Sequence, residues 1–293
     1  LQKNKRREEV LNSFKKYQKG EISYKINLST KLSNEKDFLK FWKEKNLSNG
    51  DVINTLTTVA SVSNNLSWVF FSAYQCAIQH QFRNQIFKEP TSIAIAERKD
   101  SPLEVSLDKK NNQIEIKGLK TWLVTTNINK VIVFAKLKEP IGVIQKSEKK
   151  YWKSLLALVS LDKTTKLTTF EKVHYLKKLQ QGNILLNSTH VEIENILSGK
   201  KIRNFRIVEK YFIMLSLTIF FFLKIKSTRL KKVYHNLGNE LMDLLVRKNL
   251  NDRTLRPLTK KFQKAFKTFD QTPERNSITD WNSDKILFKF LTK

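Results

Sequence analysis

Apolar residues recur at two different periods along this chain, and the period changes twice. Phe38, Leu39, Phe41 and Trp42, followed by the stretch from Val52 to Ala77, supply apolar faces at helical spacing and predict helices up to Lys88-Glu89-Pro90. Near residue 90 the period drops to two. Thr91 to Glu97 reads as a short strand ending on a carboxylate, Ile114 and Ile116 alternate with charged residues, and Gly118 reads as a turn. Trp122-Leu123-Val124 resumes as strand, and Val131 to Ala135 is an apolar run of buried-strand length. Gly142, Gly182 and Gly199 read as further turns of this β-rich section. From Lys201 helical spacing returns through Glu209 to Val233 and Leu237 to Val246, and Pro257 and Pro273 punctuate a basic amphipathic remainder. The pattern predicts an α+β protein in three sections: a helical domain over 1–89, a β-domain over 90–200 and a second helical domain over 201–293. No internal repeat or low-complexity segment interrupts it.

Composition agrees with a folded chain, since 293 residues at 40% hydrophobic content can bury a sizeable core. The most apolar stretch, Tyr211 to Leu223, lies between Lys210 and Lys224. It falls short of the roughly 20 residues a membrane span requires, so a helix buried among other helices is expected, with no membrane span. The charge is less ordinary. Lys and Arg number 55 against 27 Asp and Glu, a formal net charge of +28 that would attract nucleic acid, anionic membrane or phosphorylated ligands. Residues 224–293 hold seventeen basic and seven acidic side chains, but lysine is spread along the whole sequence. The chain is also rich in Asn and Ile, which AT-rich codons favour together with Lys, so a compositional origin is preferred to a nucleic-acid site. Lys150-Tyr151-Trp152-Lys153 is the one tight interleaving of aromatic and basic residues that a base-stacking surface would need, and it reads more simply as a strand entrance.

The single cysteine, Cys76, excludes an internal disulfide framework; with no secretory signal visible, a reducing, cytoplasmic setting is expected. Its apolar helical surroundings read it as a buried thiol. No two glycines approach closely enough for a GxGxxG or P-loop pattern, and no GxSxG elbow occurs. His80, His174, His190 and His235 are isolated, so no metal site is expected.

Three segments then stand in a meaningful order: Ala96-Glu97-Arg98 at a strand end, Gly118-Leu119-Lys120-Thr121-Trp122, and the hydrophobic return strand Val131 to Ala135. Leu155 to Leu161 and Gly182 to Gly199 continue the series. This order resembles the middle β-domain of the acyl-CoA dehydrogenase family, in which a strand ending in Thr-Glu-Pro precedes a GxKxW strand and a hydrophobic return. The resemblance covers roughly Val52 to Leu237. It implies an acyl-CoA dehydrogenase-like fold with an N-terminal helical domain, a middle β-domain and a C-terminal helical bundle. It also implies FAD held without a glycine-rich loop, with Ile95, Glu97, Trp122 and Thr125 as cofactor-binding residues. Trp122 would lie against the isoalloxazine ring; read from its residues alone, it is equally a large core aromatic. Lys117 and Lys120 are read as solvated strand residues beside it. One branch of the family carries its catalytic base early in the last domain, and Val208-Glu209-Lys210 resembles that position. The other reading of Glu209 is a helix-surface carboxylate paired with lysine.

The sequence departs from the family pattern at several points. Ala96 and Val124 stand where the family has hydroxyl residues, removing two side-chain hydrogen bonds to flavin worth about 0.5 to 1.5 kcal/mol each. Thr125 is the candidate replacement if the strand bulges. Lys99-Asp100-Ser101-Pro102 replaces a Gly-Ser-Asp segment, and the last quarter reads as shortened or diverged. The resemblance implies FAD-dependent oxidation of an acyl-CoA or acyl-carrier thioester by a homodimer or homotetramer. The apolar helix from Tyr211 is expected to offer an exposed association face. Two alternatives remain: an inactive family member acting as a binding or assembly protein, and a basic nucleic-acid-binding protein.

Overall fold

Helix, sheet and helix follow one another as the apolar periods dictate. The computed structural model describes residues 32–82, 89–96, 102–108, 110–145, 148–247 and 250–291. Helices expected within 1–31, and the strand-terminal Glu97, lie outside the described residues. By its internal contacts the chain divides into two units, one of Phe87–Val173 and Leu179–Phe205, the other of Leu1–Ile86, His174–Lys178 and Arg206–Lys293.

The first of these is a β-sandwich. Its strands are β1 Thr91–Ala94, β2 Glu104–Asp108, β3 Gln113–Leu123, β4 Lys130–Gln145, β5 Glu148–Ser160, β6 Thr165–Thr169, β7 Gly182–Glu192 and β8 Ile196–Ser198. One four-stranded sheet runs β1-β4-β5-β8 and the other β2-β3-β7-β6. β1 pairs parallel with β4, and the remaining neighbours pair antiparallel. Alternate side chains of the two sheets form one apolar core: Ile114, Ile116, Ile184, Leu186 and Val191 from one, Val131, Val133, Ala135, Leu155, Ala157 and Val159 from the other.

Three glycines expected as turns lie in strands, Gly182 as the first residue of β7, opposite Leu123. Gly142 pairs with Tyr151 in the β4–β5 ladder. Gly118 sits within β3, beside a register shift between Ile116 and Gly118, with φ of 128°. A Cβ there would stand 2.9 Å from Leu103 Cδ2. Gly118 therefore serves a bulge and a close approach, and β3 continues through it as one strand.

The second unit is helical: α1 Glu35–Glu44, α2 Val52–Val62, α3 Leu66–Gln81, α4 Lys201–Lys224, α5 Thr228–Arg247, α6 Asp252–Phe269, and the single turns α7 Trp281–Asp284 and α8 Leu287–Phe290. Side-chain caps set the starts of four of them. Asn34, Asp51, Asn65 and Asn251 accept from the backbone N–H groups of Asp37, Asn54, Trp68 and Thr254 at 3.0 to 3.1 Å. Phe38 stacks on Trp68 at 4.4 Å between ring centroids, and Phe221 meets Tyr234, Phe269 and Trp281 at 5.5, 4.5 and 6.1 Å. Cys76 is wholly buried, and burial pushes its thiol pKa up.

Every residue from 211 to 221 is buried. The expected exposed association face on this helix is therefore absent, because the neighbouring helices of its own unit cover it. Among the described residues no helix is long and apolar enough to cross a membrane. The helical run expected from Glu209 to Val233 breaks earlier, at residues 225–227, where no Gly or Pro marks it. There Lys226 N–H donates to Glu274 Oε1 at 3.1 Å, and Ser227 Oγ accepts from Leu230 N–H at 3.4 Å. Pro257, expected as punctuation, lies inside α6, where it gives up one intrahelical bond close to the helix start.

Candidate active site

Within the sandwich unit, the end of β1 and the end of β3 are fastened to each other. The Ile95 carbonyl accepts from Lys120 Nζ at 3.1 Å, the Ala96 carbonyl from Thr121 N–H at 2.9 Å, and the Thr125 carbonyl from Ser92 Oγ at 3.2 Å. Ile95, Trp122 and Thr125, three residues singled out by the sequence, thus belong to one fastened segment; Glu97 falls outside the described residues. Thr125 is fully buried and its Oγ1 accepts from Asn127 N–H at 3.0 Å, while Val124 beside it is equally buried.

Trp122 stands at an irregularity of β3, where the register with β7 shifts between Lys120 and Leu123. Its φ is 68°, in the left-handed region that a bulky residue rarely occupies and that costs of order 1 to 3 kcal/mol. Two side chains hold it there. Its backbone N–H donates to Asn183 Oδ1 at 3.2 Å, and its indole Nε1–H donates to Gln181 Oε1 at 2.9 Å. The indole is half-buried, with its polar edge tied down. Gly182, opposite Leu123 in the ladder, permits the tight approach, since a Cβ there would run into the Thr168 carbonyl.

Lys120 corrects the reading of a solvated strand residue. Its side chain is fully buried, and its ammonium lies 5.8 Å from the Phe134 ring centroid as well as on the Ile95 carbonyl. A buried ammonium is tolerated only where such partners replace water. The sequence did carry a signal, because Lys120 shares the parity of Ile114 and Ile116, whose side chains face the core. Lys117, by contrast, is exposed as expected. Gln181 and Asn183 were not singled out, and no local pattern marks them.

In the helical unit, Glu209 is half-buried on α4. Desolvation pushes its carboxyl up to about 7, against the downward pull of the Arg206 guanidinium. It forms no ion pair or hydrogen bond among the described residues, so the pairing with lysine that a surface carboxylate would show is not made. A carboxylate in this condition can accept or give a proton near neutral pH.

No family model and no curated protein matches this chain. Solved structures do. The prolyl acyl carrier protein oxidase AnaB aligns with a TM-score of 0.60 at 12% identity over 99% of this chain and 94% of its own. Butyryl-CoA dehydrogenase from Megasphaera elsdenii aligns with a TM-score of 0.58 at 10% identity over 98% and 96%. An FAD-dependent dehydrogenase aligns with a TM-score of 0.53 at 10% identity over 92% and 81%. The α+β architecture of this chain is the acyl-CoA dehydrogenase-like fold.

Proposed function

We propose that this protein is a flavin-dependent oxidoreductase acting on an acyl thioester, with Glu209 as the base. The observation that carries the reading is the state of that carboxylate: half-buried, without an ion pair among the described residues, and raised to about 7. The names of the aligned proteins add support, since they include an FAD-dependent dehydrogenase, a butyryl-CoA dehydrogenase and an acyl carrier protein oxidase.

The β-sandwich residues fit a flavin in one respect. Trp122 offers a flat aromatic ring whose edge is fixed by Gln181. In this reading Trp122 lies against the flavin ring, with Ile95, Glu97 and the backbone of Thr125 beside the same cofactor, the Thr125 hydroxyl being buried and engaged by Asn127 N–H. Lys120 serves the site indirectly, by holding the Ile95 carbonyl.

A bound flavin supplies an acceptor for the hydride that leaves the substrate's β-carbon. The protein supplies the base. Ionised Glu209 takes the proton from the carbon next to the thioester carbonyl, and the electron pair of that C–H bond becomes the new carbon–carbon double bond. A carboxyl raised to about 7 is a stronger base than an ordinary glutamate, and a substantial fraction of it is ionised near neutral pH.

The test is anaerobic mixing of flavin-loaded protein with saturated acyl thioesters, watching the flavin band. Bleaching in the wild type that disappears in Glu209→Gln, with flavin content unchanged, supports the assignment. Equal bleaching in both removes Glu209 from the chemistry. A second reading, an inactive binding protein of the same fold, draws on the missing hydroxyls at Ala96 and Val124. It expects no bleaching with any thioester.

A further inference from the structure

Helix α6 carries a line of cations that neither its fold nor the proposed chemistry uses. Arg253, Arg256, Lys260, Lys264 and Lys267 are all exposed. At 3.6 residues per turn they fall within an arc of about 80°, and at 1.5 Å per residue they extend over about 21 Å. None of the five forms an ion pair among the described residues. The opposite face of α6 is already spent, since Leu255, Leu258, Phe262, Ala265 and Phe269 are buried. The line is framed by acid on one side: on α5, Glu240 holds Lys261 at 2.7 Å and Asp243 holds Arg247 at 3.6 Å.

The line also has a direction. Thr259 Oγ1 meets Met214 Sδ of α4 at 3.5 Å, and seven residues further along each helix Phe266 meets Phe221 at 6.2 Å between centroids. The two helices therefore run parallel in register. Five residues before Met214 stands Glu209, and five before Thr259 stands Thr254, so Arg253 and Arg256 lie at the Glu209 end of the bundle.

We propose that the outer face of α6 docks an acidic carrier protein, one that presents a row of carboxylates along a helix and delivers its acyl thioester on a pendant arm. The inference rests on the thioester reading for the cargo, while the surface itself rests on charge and geometry. A line one helix wide matches carboxylates at intervals of three and four on a partner helix. The phosphates of a free coenzyme A would instead call for donors converging on a point. Nucleic acid fits less well. The exposed face of α6 offers no aromatic ring for bases, and on its flank Glu240 and Asp243 offset Lys261 and Arg247 where a duplex would need unpaired cations. A membrane surface would require exposed apolar side chains beside the cations, and those of α6 are buried.

The experiment measures binding of a fluorescently labelled, acidic holo acyl carrier protein to the full chain at low and at physiological salt. The triple variant Arg253→Glu/Lys260→Glu/Lys264→Glu is compared with Lys117→Glu/Lys166→Glu/Lys200→Glu, which changes net charge equally at exposed residues of the sandwich unit. The α6 variant is expected to bind at least tenfold more weakly, and the control within twofold of wild type. The pair Arg256→Glu/Lys267→Glu is expected to repeat the loss. Equal losses in both triples, no binding by the wild type, or displacement of the carrier by a duplex oligonucleotide with the same α6 dependence would each overturn the proposal. Flavin content and the bleaching by free acyl-CoA are read separately. A failed flavin reading with α6-dependent docking intact, or the reverse, shows which of the two proposals has fallen.

Discussion

The indole N–H of Trp122 donates to Oε1 of Gln181 at 2.9 Å, across a sequence separation of 59 residues. This bond fixes a tryptophan whose backbone sits at φ 68°, and it ties the irregular end of β3 to the residue that precedes β7. Gln181 is itself buried, so the bond is made away from water and orients a half-exposed ring.

Replacing Gln181 by Leu keeps the bulk of the side chain and removes the acceptor. The expected loss is about 1 to 2 kcal/mol of stability. Tryptophan emission should shift as the Trp122 ring gains freedom, and FAD affinity should fall severalfold. An unchanged emission spectrum and unchanged affinity would show that the bond does not orient the ring.

Gly182→Ala tests the close approach at the same place. The added methyl meets the Thr168 carbonyl and stands 2.6 Å from Thr126 Cγ2, and a backbone atom cannot yield as a flexible side chain can. Thermal unfolding should show a loss of about 2 kcal/mol or more.

How much of this was legible in the sequence depends on how local the cause was. The period-two alternation around Ile114 and Ile116 and the apolar run from Val131 to Ala135 place core residues that the sandwich does bury. Gly118, Gly142 and Gly182 read as turns because glycine marks turns and strand positions of close approach alike, and only the pairing partner decides between them. Residue type alone assigns Lys120 to solvent, although its parity puts it on the core face. The apolar stretch from Tyr211 was visible as a helix, but what covers it belongs to tertiary structure. The hold of Gln181 and Asn183 on Trp122 is wholly non-local, so no window around Trp122 contains it.

Asp284 is fully buried in the helical unit and accepts from Leu176 N–H at 2.7 Å and from Ser67 Oγ at 3.2 Å. Desolvation raises its pKa, against the hydrogen bonds that favour its charged form. Asp284→Ala leaves two buried donors without this partner and should cost about 3 kcal/mol in denaturant unfolding. Asp284→Asn keeps an acceptor oxygen and should cost about 1 kcal/mol. Similar losses for the two variants would deny the Leu176 bond its role.

In the proposed reading Glu209 couples function to stability. Its carboxyl titrates near 7 when folded, against a reference of 4.5, so the folded state holds its proton more tightly than the unfolded chain. The penalty is absent below the reference value, grows as pH rises from there, and is complete above about 7, where it reaches at most about 3 kcal/mol. Glu209→Gln should therefore match the wild type at about pH 4 and exceed it in melting temperature at about pH 8. With thioester substrate, the wild-type rate should climb with pH and level off above about 7, as the base becomes ionised.

The most direct test of the account is the visible absorbance spectrum of the protein after incubation with FAD and gel filtration, recorded together with its tryptophan fluorescence. Retained flavin bands with quenched tryptophan emission, and loss of that quenching in Trp122→Leu, are the predicted result. A colourless protein that leaves the column without flavin would contradict the flavoenzyme reading while leaving the fold as described.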